Sequence, residues 1–497
     1  MNYIGISAGF HDAAISVIDD TGNILFAGHS ERYSKNKHDK DICEGLLHDA
    51  FQHTNSADLQ YHYYERPWLK SLRQLRSGEG FIWPTWEKLL GSTYHQMNAY
   101  AFSAPKIHTH SHHLSHAAAG FQTSPYDDAT VVVIDAIGEF DTISIYNAWY
   151  DKNGVARYKK LWGQKYPDSI GLFYSAMTKR AGLKPLDEEY ILMGMAAYGS
   201  AKPVDKMSAE LIESYKDITF RDNLHTGVSD TFLEGADEMD IACSTQLIVE
   251  QLIMNVISKA RMLGGSKNLV YGGGVALNCL ANRLLGEFYD NIWIIPNPGD
   301  AGSSLGASCL GYGKRVNWTD AYLGHTIHGV YPVNRLLDYL NTTGIVGVAS
   351  GRAEFGPRAL GNRSLLADPR GKEIKDKVNE IKRRQKFRPF APVILEEYAD
   401  DYFDMPRGFN NSRYMQVIAR CRHPNLFPAI IHHDGTSRVQ TVPKDGSGIR
   451  ELLEKWYVLT GCPMLLNTSL NIRGEPMVND RSDADRFEKL YNITVIS

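Results

Sequence analysis

The chain has 497 residues, 43% hydrophobic and 22% charged, a soluble-globular composition that calls for roughly two to four domains. A formal net charge of −4 gives no global pull toward nucleic acid, and six scattered cysteines without a CxxC spacing argue against a disulfide framework or a cysteine zinc site. The opening MNYIGISAGF has no secretion-signal pattern, and no apolar run reaches the ~18 residues of a membrane span, so a cytoplasmic protein without a membrane partner is expected.

Residues 3–28 predict strand, glycine turn, strand, tight turn at Asp20-Thr21-Gly22, strand. The same grammar returns at 131–134, followed by Asp135, Gly138 and a second apolar run over 142–148. Such a repeat suits an architecture of two similar lobes that grip a nucleotide between glycine loops. Between the copies, residues 46–104 are expected to be largely helical. There Tyr61, Tyr63, Tyr64, Trp68, Phe81, Trp83, Trp86 and Tyr94 alternate with Arg66, Lys70, Arg73, Arg76 and Lys88. That mixture fits stacking of a nucleotide or sugar acceptor, and equally the two faces of ordinary amphipathic helices.

Residues 106–120 read KIHTHSHHLSHAAAG. A helix capped at Ser111 stacks His112 and His116 on one face, half of a metal site. HExxH peptidase chemistry is absent, because no glutamate stands between them. A surface helix carries the same spacing, so further donors must come from elsewhere. Candidates are acidic residues where apolar strands run into glycine loops: Asp135 after 131–134, and Asp300 after 292–295. Two histidines with two carboxylates suit Fe²⁺, Mn²⁺ or Zn²⁺ better than Mg²⁺ or Ca²⁺.

Residues 171–199 predict helix, loop and helix, and 245–263 an amphipathic helix leading to a strand over 268–271. GGGVALN (272–278) and DAGSS (300–304) then place Gly273, Gly274, Asn278 and Gly302 where a backbone approaches a ligand closely at a helix start, as for a nucleotide. The composition changes after Gly329. A strand over 341–350 leads into GRAEFGPRALGNRSLLADPR (351–370), a basic helix is expected over 372–388, and KRRQKFRPFAP (382–392), HHDGTSRVQTV (432–442) and NTSLNIRGEPMV (467–478) follow. Arginine and lysine among glycine and proline turns suit phosphate and carboxylate groups, although charge runs are commonly just solvated.

HDAA (11–14), ERYSKNKHD (31–39), HHLSHA, GLFYSA, MGMAAYG, GGGVALN and NPGDAGSSLGA stand in the order found in a known family. With the C-terminal blocks, the chain resembles the carbamoyltransferases that include antibiotic and nodulation-factor O-carbamoyltransferases. The resemblance implies an α/β protein (α+β overall): a duplicated actin-like (ASKHA, threonylcarbamoyl-transfer-like) domain over 1–335, then a YrdC-like domain over 336–497. It implies an iron-type metal, Fe²⁺ or another divalent transition ion, on His112, His116, Asp135 and Asp300, with His11 as base for the acceptor hydroxyl. Carbamoyl phosphate and ATP, with Mg²⁺, would form a carbamoyl-adenylate on Lys382, Arg384, Arg388 and Arg438, with Asn467 and Ser469 at the carbamoyl or adenylate group. Arg358 and Arg363 would line that cavity or the domain junction. The implied acceptor is a sugar, a natural-product alcohol or a hydroxymethylated nucleobase in DNA, and a homo-oligomer is allowed. Two positions depart from the pattern: Ile191 stands where a lysine is expected, and Ala136 replaces a glycine after the metal aspartate. A tRNA threonylcarbamoyl-type enzyme and a non-catalytic nucleotide-binding protein are the alternatives.

Overall fold

A computed structural model describes the chain apart from residues 79, 82, 101–105, 384–389, 410 and 447. The architecture is mixed α/β in two compact units, residues 1–30 with 38–319 and residues 31–37 with 320–497.

The first unit holds two five-stranded sheets built to one plan. In the first, β1 (Asn2–Ser7), β2 (Ala14–Asp19) and β3 (Ile24–His29) form an antiparallel meander. On the other side of β1, β4 (Leu59–Tyr63) and β5 (Ile107–Thr109) add in parallel, giving the order β3-β2-β1-β4-β5. In the second, β6 (Asp128–Gly138), β7 (Asp141–Tyr150) and β8 (Ala156–Lys165) make the meander. Here β9 (Asn268–Gly272) and β10 (Asn291–Trp293) add in parallel beyond β6, giving β8-β7-β6-β9-β10. The second sheet repeats the first strand for strand, as the grammar recurring at 131 predicts.

Each sheet's last strand is followed by a helix, α1 (His112–Thr123) after β5 and α4 (Gly302–Tyr312) after β10. The two helices pack against each other where Gly306 meets α1. A Cβ there would stand 1.7 Å from the Ser115 carbonyl oxygen. Glycine likewise lets α4 lie directly on β1, since a Cβ on Gly5 would come within 1.9 Å of the Ser304 carbonyl. These contacts seat the starts of α1 and α4, which carry the candidate donors, side by side.

Residues 46–104 are largely helical, as expected, over the end of Glu44–Gln52 and over Pro67–Arg76, Trp86–Leu90 and Ser92–Tyr100, but they also hold a strand. The run LQYHY is the inner strand β4, with Tyr61 and Tyr63 buried. Short aromatic runs do not separate helix from strand by periodicity, and pairing to both β1 and β5 decides for the strand. Helices Pro67–Arg76 and Trp86–Leu90 follow. Between β8 and β9 of the second sheet lie, in sequence, α2 (Ile170–Arg180) and α3 (Glu238–Leu263). Helix α3 starts earlier than the apolar pattern at 245 because the Asp237 side chain accepts from the Met239 N–H. Its mean hydropathy of 1.3 would suit a membrane span, yet 67% of that window is buried inside the protein, as in a core helix.

The second unit is built on a six-stranded mixed sheet. Its strands are β11 (Ile345–Ala349), β12 (Arg363–Ala367), β13 (Ala391–Leu395), β14 (Gln440–Val442), β15 (Met464–Ser469) and β16 (Val495–Ile496). They lie in the order β14-β13-β15-β12-β11-β16. Leu336, Leu340, Leu452, Leu453 and Trp456 pack with Val346, Leu365 and Leu465 of the strands to form its core. The composition change after Gly329 falls inside this unit, which starts at Asp320. The basic helix expected over 372–388 runs Lys372–Ile381, and Arg384 and Arg388 lie outside the described residues.

Candidate metal and transfer centre

Helix α1 brings His112 and His116 together through the four-residue spacing, with their Nε2 atoms 3.1 Å apart. Ser111 occupies the N-cap position, but its side chain makes no capping bond. Instead the Ser115 hydroxyl donates to the Tyr64 carbonyl at 2.8 Å, tying α1 to the end of β4. The neighbouring His113 points away and bonds Ser144 Oγ at 2.8 Å. Gly138 makes room for the site, since a Cβ there would stand 2.4 Å from His112 Cδ2.

Asp135 sits where the β6–β7 register slips between Ile134 and Gly138. Such an irregularity re-aims a side chain, and this one delivers a carboxylate to the histidines. Asp135 Oδ2 is 3.0 Å from His112 Nε2 and 3.5 Å from His116 Nε2. Its Oδ1 accepts from the Ala136 N–H at 2.9 Å and the Gly274 N–H at 3.3 Å. Asp300, just before α4, has Oδ1 3.4 Å from His112 Nε2 and 3.3 Å from His116 Nε2. One donor atom from each of the four residues lies within 4.8 Å of the others, and all four side chains are buried.

The charges explain why such a cluster is suited to a cation. Burial disfavours charge on both histidines, but Asp300 and Asp135 outweigh it and hold His112 well above, and His116 above, the ordinary histidine range. Burial likewise opposes ionisation of the two carboxylates, and the imidazoles outweigh it to hold both acids below the usual range. A divalent transition ion such as Fe²⁺, Mn²⁺ or Zn²⁺ fits this N₂O₂ donor set in place of the protons. The Glu65 carboxylate stands 3.7 Å from His112 Nδ1, a buried atom with no hydrogen-bond partner among the described residues, and 2.8 Å from Lys70 Nζ. An acid behind a metal-ligating histidine orients its ring.

His11 faces the same cluster, with Nε2 3.6 Å from Asp300 Oδ2. Its Nδ1 donates to Asp12 Oδ2 at 2.8 Å, which leaves Nε2 as the acceptor in the neutral ring. Burial lowers the His11 pKa, but Asp300 and Asp12 raise it to about 9.

The other expected positions have more varied surroundings. Gly273, at φ +86, lets its loop cross β6 at the Ile134 carbonyl, and the Gly274 N–H is given to Asp135. Gly302 starts α4 against the Asn297 carbonyl. Asn278 exchanges two hydrogen bonds with Gln246, at 3.0 and 3.1 Å, and caps the Ala281 N–H at 3.0 Å. Ile191 is a buried side chain of the helix Glu189–Met195. Ala136 lies outside the left-handed region, so the missing glycine imposes no backbone strain; Glu139 takes a φ of 53° instead.

In the second unit, Asn467 donates to the Ala359 carbonyl at 3.0 Å and Gln440 Oε1 at 2.7 Å, while its own Oδ1 is buried without a partner among the described residues. Ser364 Oγ and Arg438 Nε are likewise buried without partners among the described residues. Lys382 Nζ donates to the Ser469 carbonyl at 2.6 Å and to Asn471 Oδ1. Arg363 is fully buried and donates to the carbonyls of Asn479, Ser350, Gly351, Asn362 and His325, which makes it a brace. Glu354 Oε1 accepts from the N–H groups of Leu360, Asn362 and Arg363 and so shapes the loop that carries Arg358.

Comparison with known families gives a carbamoyltransferase N-terminus over residues 70–309 and a carbamoyltransferase C-terminus over 337–496. An uncharacterized protein of Synechocystis is 34% identical over 97% of this chain and 93% of its own length. The chain belongs to the carbamoyltransferase family. The carbamoyltransferase is also similar to nodulation protein NolO of Bradyrhizobium diazoefficiens, 32% identical over 75% of each chain. Nodulation protein NolNO of Sinorhizobium fredii is 28% identical over 95% of this chain and 76% of its own. In this carbamoyltransferase the four clustered donors lie inside the N-terminal match, and Lys382, Arg438, Asn467 and Ser469 lie inside the C-terminal one.

Sequence reasoning left Glu65, Asp12 and His38 without roles. Asp12 and His38 were visible only as members of HDAA and ERYSKNKHD, and Glu65 as an acid ending an aromatic run.

Proposed function

We propose that this carbamoyltransferase carries out ATP-dependent O-carbamoylation in two stages. In the second unit the carbamoyl group of carbamoyl phosphate passes to AMP, with water consumed and phosphate and pyrophosphate released. Lys382, Arg438 and the arginines at 384 and 388 offset the phosphate charge, and Asn467 and Ser469 orient the carbamoyl-adenylate. The buried Asn467 Oδ1 and Arg438 Nε, without hydrogen-bond partners among the described residues, support a polar ligand there.

In the first unit His112, His116, Asp135 and Asp300 would hold the metal, in our reading Fe²⁺ or a related ion. When bound it would supply Lewis-acid polarisation of the carbamoyl carbonyl, and its positive charge beside Asp300 would weaken the pull of that carboxylate on a His11 proton. His11 Nε2 takes the proton of the acceptor hydroxyl as its oxygen bonds the carbamoyl carbon, and the bond from that carbon to the AMP oxygen breaks. Asp12 balances the imidazolium that results. The observation that carries this reading is the four-donor cluster with His11 Nε2 against it, 3.6 Å from Asp300.

The acceptor is an alcohol: a sugar, a natural-product hydroxyl or a hydroxymethylated base such as 5-hydroxymethylcytosine in DNA. The test is transfer of label from carbamoyl phosphate, with ATP, to a panel of all three. His112→Ala should abolish transfer and spare adenylate formation, and Asn467→Ala should do the reverse. Equal loss of both activities in both variants would sink the two-stage reading.

A further inference from the structure

The transfer base has a support that reaches from the buried centre to the surface. His11 Nδ1 donates to Asp12 Oδ2 at 2.8 Å, and the other oxygen of that carboxylate, Oδ1, accepts from His38 Nδ1, also at 2.8 Å. His38 Nε2 stands 3.2 Å from Asp187 Oδ1, and Asp187 Oδ2 is 3.1 Å from the exposed Lys184 ammonium. Both oxygens of Asp12 are therefore engaged by imidazoles, which fixes the rotation of its carboxylate. Both edges of the His38 ring face carboxylates, so a flip of that ring would present C–H groups to each.

The backbone supports the same arrangement. Asp12 and His38 both sit in the left-handed region, each at a φ of 55°. Side-chain-bearing residues persist there where the surroundings over-determine them, and such positions concentrate at functional sites. Here the two loops are joined on either side of Asp12: the Gly9 N–H donates to the Lys40 carbonyl and the Ala13 N–H to the Asp39 carbonyl, both at 2.7 Å. Neither the cluster of metal donors nor the nucleotide chemistry requires this.

We propose that His38 and Asp187 are positioning residues for the transfer base: through Asp12 they hold His11 as the Nδ1–H tautomer with Nε2 turned to the metal donors. The role rests on the transfer reading above. A base in the wrong tautomer presents an N–H where a lone pair is needed, so the chain acts on the rate of proton removal and not on substrate affinity.

The test is ¹⁵N NMR of histidine-labelled, full-length protein loaded with Zn²⁺ as a diamagnetic probe metal, with the His11 signals assigned by their loss in His11→Asn. Wild type should show His11 protonated at Nδ1. Asp187→Asn and His38→Gln should raise the Nε2–H tautomer to a comparable population, while both variants still form carbamoyl-adenylate at the wild-type rate. Should His38→Gln fail to fold, Asp187→Asn, a single-atom change near the surface, carries the test. An unchanged His11 tautomer in the folded variants overturns the proposal. Absence of carbamoyl-adenylate formation in wild type would instead count against the function it rests on.

Discussion

Gly306→Ala tests how the centre is assembled. At this residue α4 crosses α1, and the added methyl would lie 1.7 Å from the Ser115 carbonyl oxygen and 3.1 Å from the Ala119 nitrogen. Both neighbours are backbone and cannot swing aside. To reach 3.0 Å, the lower limit of real Cβ contacts, the helices must part by about 1.3 Å. Overpacking of that kind costs about 1–3 kcal/mol. The larger consequence falls on the proposed metal donors. Asp300 precedes α4 and lies 3.3–3.4 Å from the two imidazoles of α1, so parting the helices widens these distances directly. Metal coordination tolerates departures of only about 0.2 Å. Urea unfolding and metal titration should therefore show a loss of about 1–3 kcal/mol together with at least about a tenfold loss of affinity. Gly299→Ala, one residue before Asp300 and with nothing within 4 Å of its would-be Cβ, is the matched control and should do neither. Gly306→Ala with stability and affinity both at the control level would refute the argument that this crossing sets the donor geometry.

Metal capture should also be proton-coupled. Metal-free His112 and His116 bind protons above the ordinary histidine pKa of about 6.5, and ligation must displace them. Affinity should then keep climbing as pH rises above about 6.5 and passes the raised histidine values, with proton release visible by calorimetry in buffers of different ionisation enthalpy. The stability of the metal-free protein should run the opposite way. The stabilisation is fully present below about pH 6.5 and fades as rising pH passes the raised histidine values, which leaves Asp135 and Asp300 facing each other uncompensated. A pH-independent affinity would contradict both statements. Glu65→Gln, which keeps the shape and removes the charge behind His112, should weaken metal binding by about 10–100-fold. Wild-type affinity in that variant would reduce Glu65 to a partner of Lys70.

The duplicated plan was legible because strand and hairpin signals are local. Runs such as VVVI and the Asp20-Thr21-Gly22 turn are read over a few residues, and they recur in the same order at 131. The His112–His116 pair was legible for the same reason: helical periodicity alone puts both rings on one face. Asp135 and Asp300 were nameable as strand-end acids, and the ordered blocks supplied the family. Sequence periodicity failed at β4, where LQYHY gives no decisive period and two flanking strands impose the conformation.

What the tertiary structure decided are the contacts between residues far apart in the chain. No sequence spacing says that Gly306 lets α4 reach α1, or that a register slip after Ile134 turns Asp135 inward. Arg363 and Arg438 look alike as arginines beside turns, yet one is consumed by five backbone carbonyls and the other keeps a buried Nε without a partner among the described residues. The Asp12–His38–Asp187 chain joins residues separated by 26 and 149 positions. Composition and periodicity fix which elements form and which residue types they carry. Which side chains share a buried, low-dielectric space, and so alter one another's charge, follows only from how the elements pack.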